Sequence, residues 1–159
     1  MLFCKWVGGA LLLFCALYLG FLQISAARRA VARAKGFLCL LRHIRLQIEC
    51  FSLPVGDILA SADVGMLAAC GVKEGKPISF AALVQGSKDC LSREVYGELV
   101  AFAEQLGTSY RAEQLRLCDR HITRLAALCE QEKQEAARKE RLWLFLPLAL
   151  VGIVLLVLL

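Results

Sequence analysis

Apolar and polar positions divide this chain into three regimes. Trp6–Ile24 (WVGGALLLFCALYLGFLQI) and Leu142–Leu159 (LWLFLPLALVGIVLLVLL) are runs without a charge, and between them apolar and charged residues interleave at helical spacing. As a helix rising about 1.5 Å per residue, the second run reaches ~27 Å, close to the hydrocarbon thickness of a bilayer. A helix satisfies its own backbone polar groups in lipid, so each run reads as a membrane-spanning helix. Trp143 sits at the expected interface, directly after the basic run Arg138, Lys139, Arg141. The pattern predicts an N-terminal transmembrane helix over 1–27, an α-helical domain over 28–141 and a C-terminal transmembrane helix over 142–159.

The middle opens with a helix running on from the first apolar run. Val31, Ala34, Leu38, Leu41, Ile44, Ile48 and Phe51 recur at spacings of three and four and share one face. Leu53-Pro54 ends that pattern, because a residue before proline is biased away from helix. Over 55–91 five glycines interrupt the periodicity. Short helices are expected around Asp57–Cys70 and Ile78–Val84, separated by a loop at Gly71–Pro77. Order then returns. Ser92 followed by Glu94 caps a helix with the apolar face Val95, Leu99, Phe102 and Leu106, and Gly107 fits the left-handed position just past its end. Thr108 or Ser109 is expected to cap the next helix, whose face is Leu115, Cys118, Ile122, Leu125 and Cys129. Two such faces joined by a glycine turn make an antiparallel hairpin. The second helix continues through a polar run with pairs such as Glu135–Lys139 into the last apolar run, where Pro147 can kink it. No alternating β-branched pattern occurs, so the fold class is all-α: a helical bundle or hairpin domain between two transmembrane helices.

Charge sets the expected orientation. The chain is 58% hydrophobic with a net charge of +5, and the charges concentrate in the middle segment. Arg28, Arg29, Arg33 and Lys35 follow the first run, and Arg138, Lys139 and Arg141 precede the last, so both dense positive flanks face the middle. By the positive-inside rule the middle is cytoplasmic. A secretory signal peptide is the rival reading of the first run, with Lys5 before an apolar core and Ser25-Ala26-Ala27 as a cleavage site. The downstream cluster of positive charge opposes translocation and argues against it.

Candidate chemistry is sparse. The eight cysteines include no C-x-x-C pair, which zinc sites use to close two ligands, so no metal is expected. Cys4 and Cys15 belong to the first run. Cys39, Cys50, Cys70, Cys90, Cys118 and Cys129 read as small core residues in a reducing compartment. His43 and His121 stand in polar, arginine-rich stretches. Cys39 and His43 are one helical turn apart, the spacing of a thiol nucleophile and its base, but no orienting acid lies near them. Phosphate-loop, zincin and nucleophile-elbow motifs are absent, so the sequence calls for no enzyme and no cofactor. Arg116, Arg120 and Arg124 form a stripe at every fourth residue beside Glu113 and Asp119. It reads as a solvated face with local ion pairs or as a docking edge for an acidic partner. Nucleic acid is not expected as a partner, because no exposed aromatics interleave the charges. Arg28, Arg29, Arg33 and Lys35 suit topology and anionic lipid headgroups.

The second half carries a longer pattern. Phe102, Leu106, Gly107 and Gln114 match F-G-x-x-L-G-x-x-D-x-x-x-Q, with Ala103 in place of the glycine and Tyr110 in place of the aspartate. A charged helix and an apolar helix follow. In this the chain closely resembles the stage III sporulation protein AB family. Upstream, Ile48 and Pro54 fall on that family's E-I-x-Y-x-x-T-P-L segment, while Gln47, Cys50 and Leu53 replace its Glu, Tyr and Thr. In the last helix Gly152 fits and Leu148 replaces a glycine.

The resemblance implies a role in endospore formation, in the mother-cell membrane, within the assembly linking mother cell and forespore. It also implies a likeness to the helical domains of type II secretion and type IV pilus platform proteins. The implied partners are a cytoplasmic secretion-type ATPase, stage III sporulation protein AA, and other membrane proteins of the sporulation channel. Partner-binding residues are then expected at Gly107, Tyr110, Arg111, Arg116, Arg120 and Arg124, on the hairpin turn and the adjoining helix. The alternative is a signal-peptide-processed, tail-anchored surface protein with an extracytoplasmic helical domain and disulfide-bonded cysteines. A membrane-bound thiol enzyme is a third reading.

Overall fold

The structure is a computed structural model. It describes the backbone of residues 2–51, 55–72 and 79–158, and within them the side chains of 14, 18, 20–22, 24–51, 57–72 and 79–142. Among the described residues six α-helices and one short 3-10 helix follow in order: α1 Leu2–Phe51, α2 Val55–Ser61, α3 Val64–Ala69, α4 Phe80–Gly86, the 3-10 turn Lys88–Cys90, α5 Arg93–Gln105 and α6 Arg111–Leu158. No strand occurs among the described residues. The chain is all-α.

Two compact units make up the chain, Met1–Arg28 with Lys133–Leu159, and Arg29–Glu132. In the first, Arg28 Nη2 meets Glu140 Oε1 at 2.5 Å. Among the described residues no helix is long and apolar enough to cross a membrane. The runs Trp6–Ile24 and Leu142–Leu159 fall largely outside the described side chains, as does Pro147. Leu53-Pro54 and most of Gly71–Pro77 lie outside the described residues altogether.

The second unit holds the core. Phe37, Leu40, Leu41, Ile44 and Ile48 of α1 pack with Ile58, Leu59, Leu67, Phe80, Leu83, Val84, Val95, Leu99, Phe102, Leu117 and Leu125. Three edge-on ring contacts run through it: Phe37 to Phe80 at 6.3 Å, Phe80 to Phe102 at 5.3 Å, and Phe102 to His121 at 5.3 Å. One chain of rings thus ties α1, α4, α5 and α6 together.

The buried face of α1 is wider than its expected stripe, taking in Phe37 and Leu40, while Val31 is only half-buried. Phe51 is a correction: it is 66% exposed. It is the last residue of α1, beyond the turn that the core covers. Cys39 and Cys50 are also corrections, exposed rather than core. Each stands two residues, about 200° of helix, past a core residue, Phe37 and Ile48 respectively. Cys70, Cys118 and Cys129 are buried as expected, Cys90 is half-buried, and all six are free thiols.

The short helices are fixed by caps and close contacts. The expected helical stretch Asp57–Cys70 is two helices, because Asp63 is extended and its carboxylate accepts the Gly65 N–H at 3.1 Å, starting α3 afresh. Gly71, at φ +101°, ends α3: its N–H reaches Ala68 O at 2.9 Å, and Val72 N–H reaches Leu67 O at 3.1 Å. That bond pair is the Schellman closure, which glycine adopts without strain. The hydroxyl of buried Ser87 donates to Cys70 O at 2.9 Å and satisfies another end carbonyl. At Gly36 the α1 backbone runs against α3, since a Cβ built there would lie 2.7 Å from Ala69 O.

Candidate functional site

The hairpin expected to carry the partner surface is present, and local chemistry explains each of its ends. Ser92 Oγ accepts the Val95 N–H at 3.2 Å and Glu94 lies in the first turn, so α5 begins where expected. Val95, Leu99 and Phe102 are buried and Leu106 half-buried. The helix closes through Leu106 N–H to Phe102 O at 3.0 Å. Gly107 follows at φ +85°, the left-handed conformation predicted for it.

Thr108 does not cap α6. Its hydroxyl donates back to Gln105 O at 2.9 Å, so it serves the end of α5, and α6 starts only at Arg111. Tyr110 precedes α6 with its side chain 91% exposed. Its carbonyl accepts from both Glu113 N–H and Gln114 N–H at 2.9 Å.

Gln114 is buried and locks the turn. Two backbone donors face its amide, which places the side-chain oxygen toward them: it accepts from Gly107 N–H at 2.6 Å and Thr108 N–H at 3.1 Å. The motif glutamine is therefore a structural clasp. Its spacing from Gly107 was visible in the sequence, but its burial was not.

Arg111 is engaged in the fold. Its Nε donates to Ile48 O at 3.2 Å and its Nη2 to Glu49 O, capping the carbonyl end of α1 where a positive charge is favoured by the helix dipole. Arg45 of α1 reaches back to Asp119 of α6 at 2.5 Å and to Glu49 at 2.6 Å. The hydrogen bond and the charge of Asp119, followed by Glu49, hold the Arg45 guanidinium above its ordinary value.

Arg116, Arg120 and Arg124 are all exposed, on the side of α6 away from Cys118, Leu125 and Cys129. Arg124 lies 3.8 Å from Glu98 Oε2 on α5. Asp119, expected to accompany the stripe, pairs with Arg45 instead. His121 is a correction. Its arginine-rich neighbourhood in sequence suggested a polar setting, yet it is 3% exposed, its Nδ1 2.8 Å from Glu98 Oε1 and its ring against Phe102. It lies four residues before Leu125, on the buried side, which is why the arginines at 116, 120 and 124 point elsewhere. The sequence signal for it was that four-residue offset.

Of the expected partner residues, Gly107 and Arg111 have structural duties. Tyr110, Arg116 and Arg120 present their side chains to solvent, and Arg124 is exposed but leans on Glu98. Cys39 is exposed and is not joined to His43 by a hydrogen bond; His43 Nε2 is buried without a partner. Among the described residues no group of three or more His, Cys, Asp or Glu could hold a metal ion.

No curated protein and no solved structure matches the chain. The sequence profile of stage III sporulation protein AB matches residues 79–159, half of the chain, from the start of α4 through the hairpin to the last residue. The matched region contains the Gly107 turn, the Gln114 clasp and the arginine stripe, and the chain belongs to the stage III sporulation protein AB family.

Proposed function

We propose that this sporulation protein is a non-enzymatic platform, anchored in the mother-cell membrane, that docks a cytoplasmic secretion-type ATPase of the stage III sporulation protein AA kind. Anchoring rests on the two uncharged runs and on exposed apolar surface: Phe14, Tyr18, Phe21 and Leu22 are 74%, 60%, 70% and 42% exposed. Their spacing puts them on one face of α1, a stripe that lipid would cover. The cytoplasmic side is inferred from the positive flanks alone. A reporter active only in the cytoplasm, inserted near Gly75, should work; activity from an exterior-specific reporter there instead would reverse the orientation.

The observation that carries the docking reading is the exposed pair Arg116 and Arg120 on α6, one turn past a hairpin bend that Gln114 holds in place. Charges on one face of a rigid element steer and orient an acidic partner more than they stabilise the fold. Arg116→Glu with Arg120→Glu should leave membrane insertion and helicity intact and weaken co-precipitation of the ATPase, most at low salt. Equal recovery of the ATPase by the wild type and the double variant would return the stripe to a solvated helix face.

A further inference from the structure

The outer face of α5 has a pattern that the fold of one chain does not explain. Arg93, Gly97, Val100 and Glu104 recur at spacings of four, three and four, so they form one stripe along the helix. Arg93, Gly97 and Glu104 are exposed and Val100 is half-buried. Arg93 and Glu104 make no ion pair or hydrogen bond with a described residue. A Cβ added at Gly97 would meet nothing within 4 Å, and its backbone is ordinary helix. Glycine is the poorest helix former after proline, so a mid-helix glycine without a local need suggests close approach from outside.

Beside the stripe, α4 and α5 enclose an open groove of about 220 Å³ lined by Ala81, Val84, Gln85, Tyr96, Val100, Ala103 and Glu104. An apolar side chain from an apposed helix can enter it.

The stripe is self-complementary, and this selects its occupant. Turn a second α5 antiparallel about a two-fold axis through the helix midpoint. Arg93 of each copy then faces Glu104 of the other, and Gly97 of each faces Val100 of the other. The residues i and j exchange roles across the axis, as an isologous interface requires. Two opposite-charge pairs close the ends of a contact about 16 Å long, and the glycines let the helices approach at its centre. We infer that α5 is a homodimerisation helix, pairing antiparallel with α5 of a second copy through Arg93, Gly97, Val100 and Glu104. This surface is distinct from the arginine stripe of α6, so a dimer leaves Arg116 and Arg120 free to dock a partner.

The test uses the full chain in detergent micelles, with self-association followed by energy transfer between separately labelled copies over a dilution series. Arg93→Glu and Glu104→Arg each set like charges opposite one another and should raise the dissociation constant by about tenfold. The charge swap Arg93→Glu with Glu104→Arg rebuilds both pairs and should restore association to within about threefold of wild type. Gly97→Leu should melt no lower than wild type under dilute, monomeric conditions, because a Cβ there meets open space within one chain, and should abolish energy transfer, because its side chain occupies the space the second helix needs. The inference is overturned by a wild type that is monomeric at every concentration, by single reversals that associate like wild type, or by a swap that fails to restore. Restoration by the swap also separates this contact from association of the apolar runs in the micelle, which the exchange of two surface charges does not touch.

Discussion

The side-chain oxygen of Gln114 accepts the backbone N–H of Gly107 at 2.6 Å, so the bend between α5 and α6 is closed by a residue from the second turn of the following helix. The same oxygen takes the Thr108 N–H. Gln114→Ala removes an acceptor shared by two amides in an exposed turn, where water replaces part of the loss. It should cost ~1–2 kcal/mol and speed hydrogen exchange at Gly107 and Thr108. Unchanged exchange at both amides would mean that the clasp does not form in solution. Gly107→Ala, at φ +85°, should cost a further ~1–2 kcal/mol of backbone strain.

Tyr110 occupies the position where the family pattern has aspartate, immediately before the first residue of α6. An aspartate there can accept a free N–H of the first turn and meets the positive end of the helix dipole, which tyrosine cannot do. Since the Tyr110 side chain is 91% exposed, removing it forfeits little packing. Tyr110→Asp should therefore raise stability by ~1 kcal/mol in denaturant titration. A loss of stability would show that the tyrosine packs in a way its exposure does not suggest.

Two helical glycines should respond in opposite directions to alanine. At Gly97 a Cβ meets open space within one chain, and Gly97→Ala should stabilise the monomer by ~0.5–1 kcal/mol through helix propensity and a less flexible unfolded chain. At Gly36 the same Cβ would sit 2.7 Å from Ala69 O, which is backbone and has little room to move. Gly36→Ala should destabilise by ~1–3 kcal/mol as α1 and α3 are pushed apart. Thermal melts of the two variants check both signs.

Burial pushes the Cys70 thiol up to about 12, and the Cys118 and Cys129 thiols up to about 11, from the ordinary 9.0. Only the thiolate reacts, so alkylation at pH 8 should modify Cys39 and Cys50 quickly and these three only on unfolding. Mass-mapped labelling before and after denaturant decides this. The folded thiols are raised above their unfolded values, so their contribution to stability is fully present below pH 9.0 and is lost as pH rises toward 11–12. Stability should fall across that alkaline window, and replacing Cys70 by alanine should flatten the fall.

The sequence was most legible where a local signal and the tertiary structure agree. Ser92, the Val95–Leu99–Phe102 face and Gly107 each fix one feature of the hairpin without help from distant residues. The stretch between α1 and α5 was less so, because α2, α3 and α4 are six or seven residues long and too short to show a period. Their ends are decided by contacts distant in sequence, such as Gly36 against Ala69 and Ser87 bonding to Cys70 O. The four-residue spacing of Arg116, Arg120 and Arg124 predicts an exposed stripe, and all three are exposed. Arg111 goes with them in charge and in its place beside the turn, but its binding to the last carbonyls of α1 depends on a helix end some sixty residues earlier. The burial of His121 is hidden for the same reason: its neighbours in sequence are charged, but its neighbours in space are Phe102 and Glu98.

Those last three residues carry the final prediction. Phe102 is fully buried between Phe80 and His121, so Phe102→Ala opens a cavity and should cost ~3–5 kcal/mol. His121 presents Nδ1 to Glu98 at 2.8 Å with side-chain exposures of 4% and 14%, leaving little water to replace either partner. Glu98→Ala should then cost ~1–3 kcal/mol, since it strands a buried imidazole nitrogen. His121→Leu keeps apolar contact with Phe102 and leaves Glu98, the more exposed partner, to water and to Arg124 at 3.8 Å, so it should cost less than Glu98→Ala. Once His121 is leucine, Glu98→Ala should cost little more, giving a coupling of ~0.5–3 kcal/mol between the two positions. Additive losses in the double variant would mean that the hydrogen bond contributes nothing to the hairpin, and that Phe102 and its apolar neighbours alone hold α5 on α6.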